Sequence, residues 1–481
     1  MTKTLLLVFV HFVSQILIAQ TSSQFAVKKF SADTVIYVID DITRELSIKH
    51  PGFYRYNSKA AFGGYIDSVK HTIKDSLTVL ESFRKLKPII SKIGCLHTDL
   101  GLGKENSDSL NQQPSLLPFQ LYFIDNRAYV KKNHSNNKSI AAGDEILSIN
   151  GKKIEIILKQ ILPAIPSDGY NLTMKYRALY YQFPAWYRSM IENTSDFTVV
   201  TKHANKEVTN QLKGATFNEI AESGFLKEPV RAKQLEFEIK NDIGLLTIHS
   251  FAKSDIKRSD QKFKKFIGQT FKEIKARNIR NLVVDLRDNT GGSDSYAAHF
   301  TSYFFDKPFR YWDRIEVTDA ISKQIKGAVK LFYKKPIHKD SAWIWRKGNF
   351  TKEFDFYTNQ KPAKNNYNGK TYVLTNGFCM SSCADVAAIL AHNKKATFIG
   401  EETGGGYQGN NSGMIPTTKL TPLNFSLSVP LQAYFNHVDS SKNIGRGTIP
   451  DYRITDSIDD LIKDHDKSLD FALELIKKDA R

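Results

Sequence analysis

Three short segments of the chain carry residue types that acyl-transfer chemistry could use. The segment 93–99, IGCLHTD, contains His97; the segment 283–292, VVDLRDNTGG, ends in Gly291 and Gly292; the segment 374–385, LTNGFCMSSCAD, contains Ser381 and Ser382. A serine hydroxyl is a weak nucleophile until a base removes its proton, and histidine can do so near neutral pH. Glycines after a strand leave backbone N–H groups open to a developing oxyanion. These residue types predict nucleophilic catalysis, provided that the fold brings the segments together.

Each segment also has a simpler structural explanation. A glycine pair after a strand commonly forms a turn, and serines before a helix commonly cap it. His249, His299 and His392 lie on core elements and are alternative bases. Cys379 and Cys383 are alternative nucleophiles, although the sequence lacks the local signatures of cysteine proteases. The catalytic interpretation therefore depends on the three segments acting together.

The three cysteines are Cys95, Cys379 and Cys383. They are too few for a disulfide scaffold, and they lack the paired spacing of a zinc ribbon or finger. Because they flank two of the candidate segments, we expect Cys95 to approach Cys379 or Cys383. No metal ion and no organic cofactor is predicted.

The elements that must position these residues alternate between strand and helix from about residue 235 onward. Strand-like apolar runs cover 244–251, 281–286, 372–375 and 397–399, and helical patterns cover 263–274 and 385–392. This alternation predicts an α/β layer fold with largely parallel pairing. We assign the core to 213–481, with the basic and aromatic stretch 307–370 as an insertion.

The N-terminal third begins with a signal for export. Residues 1–20 combine Lys3 with an apolar stretch that ends at Ala19 and Gln20, which predicts a cleaved signal peptide rather than a retained anchor. Apolar residues at three- and four-residue steps predict a helical segment over 21–93. A linker that carries the candidate histidine follows at 94–116, with its polar part, 103–113, expected to be an exposed loop. The mature protein is expected to be periplasmic or extracellular, with no integral membrane span.

A β-rich unit is predicted over 117–212. The runs 121–124 and 128–130 flank an Asp-Asn turn and form a hairpin, and the segment 143–151, GDEILSING, adds a strand and a second turn. That segment resembles the core of PDZ domains, which bind peptide C-termini at a sheet edge. The glycine-rich loop that normally binds the carboxylate is missing, so the resemblance predicts the fold of this unit more firmly than peptide binding.

The formal charge is +18, but the lysines are scattered from end to end. No helix–turn–helix, zinc-finger or aromatic-basic platform accompanies them, so nucleic acid is not a predicted partner. A solvated cationic surface explains the charge, and weak attraction to an anionic membrane or to envelope polymers is the alternative. The oligomeric state is left open.

Taken together, the motifs resemble those of the C-terminal processing, or tail-specific, serine peptidases. The shared features are 285–292 (DLRDNTGG), the turn at Ser381, 400–406 (GEETGGG) and 447–451 (GTIPD), in this order. The resemblance implies a crotonase-like (ClpP/crotonase) core of βα units, in which the nucleophile opens a helix. It extends from about His97 to the last motif and includes the PDZ-like unit.

The resemblance also implies roles for individual residues. One branch of the family uses a lysine in the glycine-rich stretch as the base, and this chain has no lysine there. The other branch uses an early histidine; it is similar to the tricorn core and the retinoid-binding-protein-like modules. This implies Ser381 as nucleophile and His97 as general base, with an oxyanion hole from Ser382 and Gly291 or Gly292. Leu96 stands where a glycine usually precedes that histidine.

A carboxylate that orients the imidazole is expected in the histidine branch, and Asp439 and Asp451 are the two candidates. The chain is therefore predicted to be an exported serine-type endopeptidase that cleaves proteins or peptides, near their C-termini in the manner of the family that it resembles. The alternative is a non-catalytic protein of the same fold that binds peptides or apolar ligands.

Overall fold

The computed structural model describes residues 28–222, 231–346 and 358–479, together with 348 and 356. The predicted signal peptide, 1–20, lies outside the described residues, as does a part of the predicted insertion 307–370. Within these described ranges, no helix is both long enough and apolar enough to cross a membrane.

The N-terminal region is helical, as its apolar spacing predicts. Its helices are α1 (Ala32–Lys49), α2 (Lys59–His71) and α3 (Val79–Ser91), and the short strands β1 (Lys29–Phe30) and β2 (Leu77–Thr78) pair beside them. Each helix begins at a hydroxyl side chain that accepts a backbone N–H, which satisfies one of the free donors of the first turn. The apolar face of α1 is buried through Val35, Val38, Ile39, Ile42 and Leu46.

The segment after α3 leads to β3 (Asp99–Gly101) and α4 (Lys104–Asn111). The helix α4 corrects the prediction of a loop over 103–113. Its Asn106 side chain donates to the carbonyls of Leu423 and Asn424, more than 300 residues away, so a tertiary contact stabilises a helix that the polar sequence does not predict.

The unit 117–212 contains one antiparallel sheet. Its strands are β4 (Phe119–Ile124), β5 (Arg127–Asn133), β6 (Glu145–Ile149), β7 (Lys152–Lys153), β8 (Asp196–His203) and β9 (Lys206–Lys213), and its helices are α5 (Ile154–Ile161), continued by the 3₁₀ turn Leu162–Ala164, and α6 (Thr173–Met190). The strand order is β4-β5-β6-β8-β9, with β7 paired to β6. The predicted hairpin forms: Asp125 and Asn126 take positive φ in the turn between β4 and β5.

The remaining elements form the predicted core and its insertion. Helices are α7 (Phe217–Glu222), α8 (Lys253–Arg258), α9 (Phe263–Ala276), α10 (Asp294–Thr301), α11 (Asp319–Gln324), α12 (Ser382–His392), α13 (Ile458–Ile462) and α14 (Lys467–Asp479), with 3₁₀ turns at Ser302–Phe304 and Gly327–Leu331. Strands are β10 (Leu235–Lys240), β11 (Ile243–Ile248), β12 (Asn281–Asp285), β13 (Phe309–Arg310), β14 (Trp312–Val317), β15 (Lys334–Lys339), β16 (Ala342–Arg346), β17 (Asn359–Gln360), β18 (Lys370–Thr375), β19 (Thr397–Gly400), β20 (Asn411–Ser412), β21 (Thr417–Leu420), β22 (Phe425–Ser428), β23 (Gln432–Asn436) and β24 (Tyr452–Arg453).

The central sheet has the order β10-β11-β12-β18-β19-β24, and all of its pairs are parallel except β10 with β11. Both faces are covered: Leu282 and Val284 pack into one apolar cluster, and Val283 between them packs into another with Ile476 of α14. Parallel sheets require such cover on both sides. The predicted α/β core is confirmed.

Two smaller sheets bring distant segments to the core. The sheet β15-β16-β14-β23-β20 incorporates strands of the predicted insertion, and the sheet β21-β22-β3 pairs the strand that follows His97 with a late hairpin. The register Leu427 to Leu100 fixes the histidine segment against the last quarter of the chain.

Candidate active site

The turn that carries Ser381 joins the end of β18 to the start of α12. Ser381 has φ +51° and ψ −131°, a conformation that L-residues rarely adopt and that costs about 1–3 kcal/mol. Its hydroxyl does not cap the helix, and it has no hydrogen-bond partner among the described residues. Ser382, by contrast, is only 1% exposed. The turn therefore presents the Ser381 hydroxyl and buries that of its neighbour.

Two glycines, Gly291 and Gly405, lie so close to this turn that neither position has room for a side chain. A Cβ added to Gly291, which has φ +93°, would lie 2.8 Å from the Ser381 Cβ and 3.0 Å from the Ser382 nitrogen. A Cβ on Gly405 would lie 3.0 Å from the Ser381 nitrogen. Both positions need glycine because the backbone of a second segment occupies the space.

The amides around Ser381 correct one part of the predicted oxyanion hole. The Gly291 N–H already donates to Asn289 Oδ1 at 2.9 Å, so it is engaged. The N–H groups of Gly292 and Ser382 make no hydrogen bond within the described part of the chain. The Ser382 amide also lies at the N-terminus of α12, where the helix dipole favours a negative charge. Gly292 and Ser382 are thus the donors left for an oxyanion.

His97 follows α3 and lies half-buried in a short turn. Its Nδ1 is buried with no hydrogen-bond partner among the described residues. Burial lowers the pKa of His97, and the negative charge of Asp168 and a backbone group of Asn411 oppose that shift in part. The net direction is downward, so the imidazole is neutral at neutral pH and able to accept a proton.

Asp168 is the carboxylate whose charge acts on His97, and the sequence interpretation missed it. It is 3% exposed; Oδ1 accepts the Leu96 N–H at 2.9 Å and Oδ2 accepts the Gly406 N–H at 3.1 Å. Asp168 falls within 117–212, which was assigned to the PDZ-like unit. The signal in the sequence is the loop SDGY at 167–170, an acidic residue beside a glycine outside any apolar pattern.

The glycine run 404–406 connects the two sides of the site. The Gly405 N–H donates to the Cys379 carbonyl at 3.1 Å, next to the Ser381 turn, and the adjacent Gly406 N–H donates to Asp168. The Ser381 turn therefore lies on one side of Gly405 and Gly406, and the pair His97–Asp168 lies on the other. No hydrogen bond joins Ser381 to His97 in the structure.

The two predicted orienting carboxylates lie elsewhere. Asp439 Oδ1 accepts from the Ser441 N–H at 3.0 Å, and the Asp439 N–H donates to His392 Nδ1. Asp451 Oδ2 accepts the Phe398 N–H at 2.7 Å, at the start of β19. Neither carboxylate forms a hydrogen bond with His97: Asp439 is held within its own loop, and Asp451 is held by β19.

The alternative histidines have other partners as well. His249 Nε2 lies 3.3 Å from Glu236 Oε1, His299 packs edge-on against Tyr303, and His392 is the acceptor for Asp439. None of them contacts Ser381 through a hydrogen bond. His97 remains the histidine that the glycine run connects to the serine turn.

A buried carboxyl supports the nucleophile helix from inside. The Asp385 N–H donates to the Ser381 carbonyl at 3.1 Å, and its side chain accepts from Asn410 Nδ2 at 3.3 Å. Burial raises the pKa of Asp385 to about 7, although hydrogen bonds from Asn436 and Trp312 oppose the shift. Its position inside the core gives it a structural role beneath the Ser381 turn.

The cysteines are arranged differently from the expectation. The sulfurs of Cys379 and Cys383 are 2.7 Å apart, and both side chains are fully buried. The Cys95 sulfur instead lies 3.8 Å from the Asn411 carbonyl oxygen. The described residues contain no group of three or more His, Cys, Asp or Glu able to hold a metal ion; the prediction of no cofactor stays a prediction.

Comparison with known proteins identifies the core. Residues 242–454 match the sequence model of peptidase family S41. This stretch is an S41 peptidase domain. The tail-specific resemblance is thereby confirmed, and the chain is a serine-type peptidase. Ser381, Gly291 and Gly292 lie inside the S41 match, whereas His97 and Asp168 lie outside it.

Solved structures of mature CPAF share the fold over most of the chain. Mature CPAF complexed with lactacystin is 11% identical, with a TM-score of 0.64 over 92% of this chain and 97% of that one. A second structure of mature CPAF is 12% identical, with a TM-score of 0.61 over 91% and 96%. The photosystem II D1 C-terminal processing protease is 14% identical over 87% and 93%, with a TM-score of 0.40.

No curated protein matches the chain. None of the comparisons identifies 117–212 as a PDZ domain, so that assignment and the domain boundaries stay predictions.

Proposed function

We propose that this S41 peptidase is an exported endopeptidase that cleaves proteins or peptides through an acyl-enzyme on Ser381, with His97 as general base. The observation that carries the proposal is the Ser381 turn. A strained serine between a strand and a helix, with a free hydroxyl, is the conformation that nucleophilic serines adopt in other hydrolases.

In the first step, the neutral His97 imidazole takes the Ser381 proton while the oxygen attacks the substrate carbonyl. The carbonyl π electrons move to oxygen, and the resulting anion is held by the N–H groups of Gly292 and Ser382. Two preorganised donors and the N-terminus of α12 stabilise this charge more than they stabilise the neutral ground state.

In the second step, the C–N bond breaks, the imidazolium of His97 donates its proton to the leaving amine, and the acyl group stays on Ser381. A water molecule, deprotonated by His97, then hydrolyses the ester and regenerates the hydroxyl. Asp168 is a positioning residue in this scheme: its charge favours the imidazolium, and its bonds to Leu96 and Gly406 fix the segments on either side.

A fluorophosphonate probe tests the assignment, because it reacts covalently with activated serines. We expect labelling of the wild-type protein, no labelling of Ser381→Ala, and near-normal labelling of the matched control Ser382→Ala. Mass spectrometry should locate the adduct in the peptide that contains residue 381. Absence of labelling in the folded wild-type protein would favour the alternative, a non-catalytic binding protein on the same fold.

Export and cleavage near C-termini rest on the signal-like residues 1–20 and on the family resemblance. N-terminal sequencing of the protein from its native host is expected to find cleavage near Gln20. A pair of substrates that differ only in a free or an amidated C-terminus tests the cleavage preference: the free form should be cleaved faster, and equal rates would reject C-terminal recognition.

A further inference from the structure

Two cysteines bracket the proposed nucleophile symmetrically in the sequence. Cys379 and Cys383 each lie two residues from Ser381. Their sulfurs are 2.7 Å apart, a separation between the about 2.05 Å of a disulfide bond and an ordinary van der Waals contact. The peptidase scheme does not use either side chain.

The backbone holds both cysteines in this arrangement independently of their sulfurs. The Cys379 N–H donates to Asn376 at 2.9 Å, its carbonyl accepts from Gly405, and the Cys383 N–H donates to Met380 at 3.0 Å. Cys383 lies in the first turn of α12, so its side chain projects back toward the turn. Formation of a bond requires the sulfurs to move closer by less than 1 Å.

Cys95 provides a contrast within the same molecule. It is fully buried like the other two, but its sulfur faces the Asn411 carbonyl. Burial alone therefore does not bring sulfurs together here, and the contact between Cys379 and Cys383 is specific to the serine turn.

We propose that Cys379 and Cys383 form an intramolecular disulfide that closes a five-residue ring around Ser381. The two thiols lose two protons and two electrons, and the oxidant is a small-molecule disulfide such as oxidised glutathione. One cysteine thiolate attacks that disulfide and releases one thiol; the second cysteine then attacks the mixed disulfide, releases the second thiol and leaves the S–S bond. Because the folded side chains are buried, the bond forms while the chain folds.

The ring has a consequence for the strained serine. Ser381 holds φ +51° between the two cysteines. A covalent bond across the turn restricts the conformations of the unfolded chain, so the strained conformation of Ser381 costs less free energy on folding. The disulfide is independent of the catalytic assignment, since it is read from sulfur chemistry and not from hydrolysis.

The direct test counts thiols in the wild-type protein. The full chain is folded in a glutathione buffer that is mostly oxidised, then denatured in iodoacetamide without reductant, digested and analysed by mass spectrometry. We expect alkylation of Cys95 alone, and a peptide containing Cys379 and Cys383 that is two hydrogens lighter than its reduced form. Alkylation of all three cysteines, or a bond that includes Cys95, would overturn the proposal.

A stability measurement with matched variants gives a second test. Reductant should lower the thermal midpoint of the oxidised wild-type protein and of Cys95→Ala by about 4 °C, and should leave Cys383→Ala unchanged. Equal shifts in all three proteins, or no shift in any, would contradict the disulfide. Should Cys383→Ala fail to fold, the thiol count on the wild-type chain still decides the question.

Discussion

The Ser381 turn is determined mainly by its own backbone and by the helix that follows it, whereas His97 is held by residues distant in sequence. The serine owes its position to its own φ of +51°, to the start of α12 and to the closely packed Gly291. The histidine segment depends on Asp168, on the strand pairing of β3 with β22, and on the contact between His50 and Thr98.

This difference corresponds to the extent of the S41 match. The match covers the serine side of the site (Ser381, Gly291 and Gly292) and leaves out the histidine side (His97 and Asp168). A locally determined turn needs a contiguous motif, so sequence models detect it. A base that is positioned by tertiary contacts depends on residues spread over the chain, and these form no contiguous motif. The serine side should therefore tolerate changes elsewhere, while the histidine side should respond to substitutions far from it in sequence.

The largest effect is expected from removal of the base. His97→Ala should lower kcat by roughly 10⁴- to 10⁶-fold, since Ser381 then lacks a proton acceptor. The measurement is steady-state hydrolysis of a peptide substrate, with circular dichroism as the check on folding. In the double variant His97→Ala/Ser381→Ala, the loss should be no greater than in the single variants, because the two residues act as a unit.

The control for this variant is His392→Ala, which changes a histidine whose ring contacts Asp439 and not the glycine run. A loss below tenfold is expected there. If His392→Ala were as damaging as His97→Ala, the assignment of the base to the N-terminal third would be wrong.

A smaller but still large effect is expected from Asp168→Asn. An amide can accept only one of the two N–H bonds that Asp168 accepts from Leu96 and Gly406, and it removes the charge that favours the imidazolium. Activity should fall by about 10²- to 10⁴-fold. Asp439→Asn is the matched control, and it should change the rate little, because Asp439 pairs with Ser441.

The pH profile distinguishes an electrostatic role of Asp168 from a merely structural one. Burial lowers the pKa of His97, so activity in the wild-type protein should be lost only below pH 6.5, the usual value for histidine. Asp168 opposes that shift, so the acid limb of kcat/KM in Asp168→Asn should move to still lower pH. An unchanged acid limb would mean that Asp168 acts only by holding the backbone of Leu96 and Gly406, and not through its charge.

The sequence predicts the serine side well and the histidine side in part, for reasons visible in particular residues. Ser381, Gly291 and Gly292 lie in contiguous motifs that encode their local geometry. Asp168 was missed because its contact with Leu96 spans 72 residues and joins the β-rich unit to the histidine segment, a pairing that the SDGY loop alone does not reveal. Gly291 was expected as an oxyanion donor, and only the side chain of Asn289 reveals that its amide is engaged.

The core fold was predictable because alternating apolar strands and amphipathic helices specify parallel pairing locally. The helix α4 and the sheet β21-β22-β3 were not, since both depend on contacts with residues more than 300 positions away. The regions that the sequence describes least are those that hold the histidine.

An intermediate effect is expected from Gly291→Ala. The added Cβ would lie 2.8 Å from the Ser381 Cβ at a φ of +93°, so the turn must shift. A displacement of that kind costs about 10²-fold in kcat, and the strain lowers stability by about 1–3 kcal/mol. The control is Gly64→Ala in α2, where nothing lies within 4 Å; it should leave activity unchanged and raise stability slightly. Equal behaviour of the two variants would contradict the close packing at Ser381.

The smallest effect is expected at Thr98, next to the base. His50 Nδ1 accepts the Gly52 N–H at 3.0 Å, so its other nitrogen, Nε2, carries the proton and donates to Thr98 Oγ1 at 2.7 Å. Burial lowers the pKa of His50 to about 4, which keeps this neutral tautomer at neutral pH. Thr98→Val leaves the Nε2–H unpaired in the core and should cost about 1–3 kcal/mol of unfolding free energy, measured by denaturant titration.

Thr98→Ser keeps the hydroxyl and should recover most of that stability. Because Thr98 adjoins His97, the valine variant should also lose some kcat, but less than His97→Ala, Asp168→Asn or Gly291→Ala, with KM nearly unchanged. The serine side provides the decisive comparison: labelling of Ser381 by a fluorophosphonate should slow in Thr98→Val and recover in Thr98→Ser. If labelling is the same in both, the hydrogen bond stabilises the N-terminal helices without positioning the base, and the histidine side depends on distant contacts less than its geometry indicates.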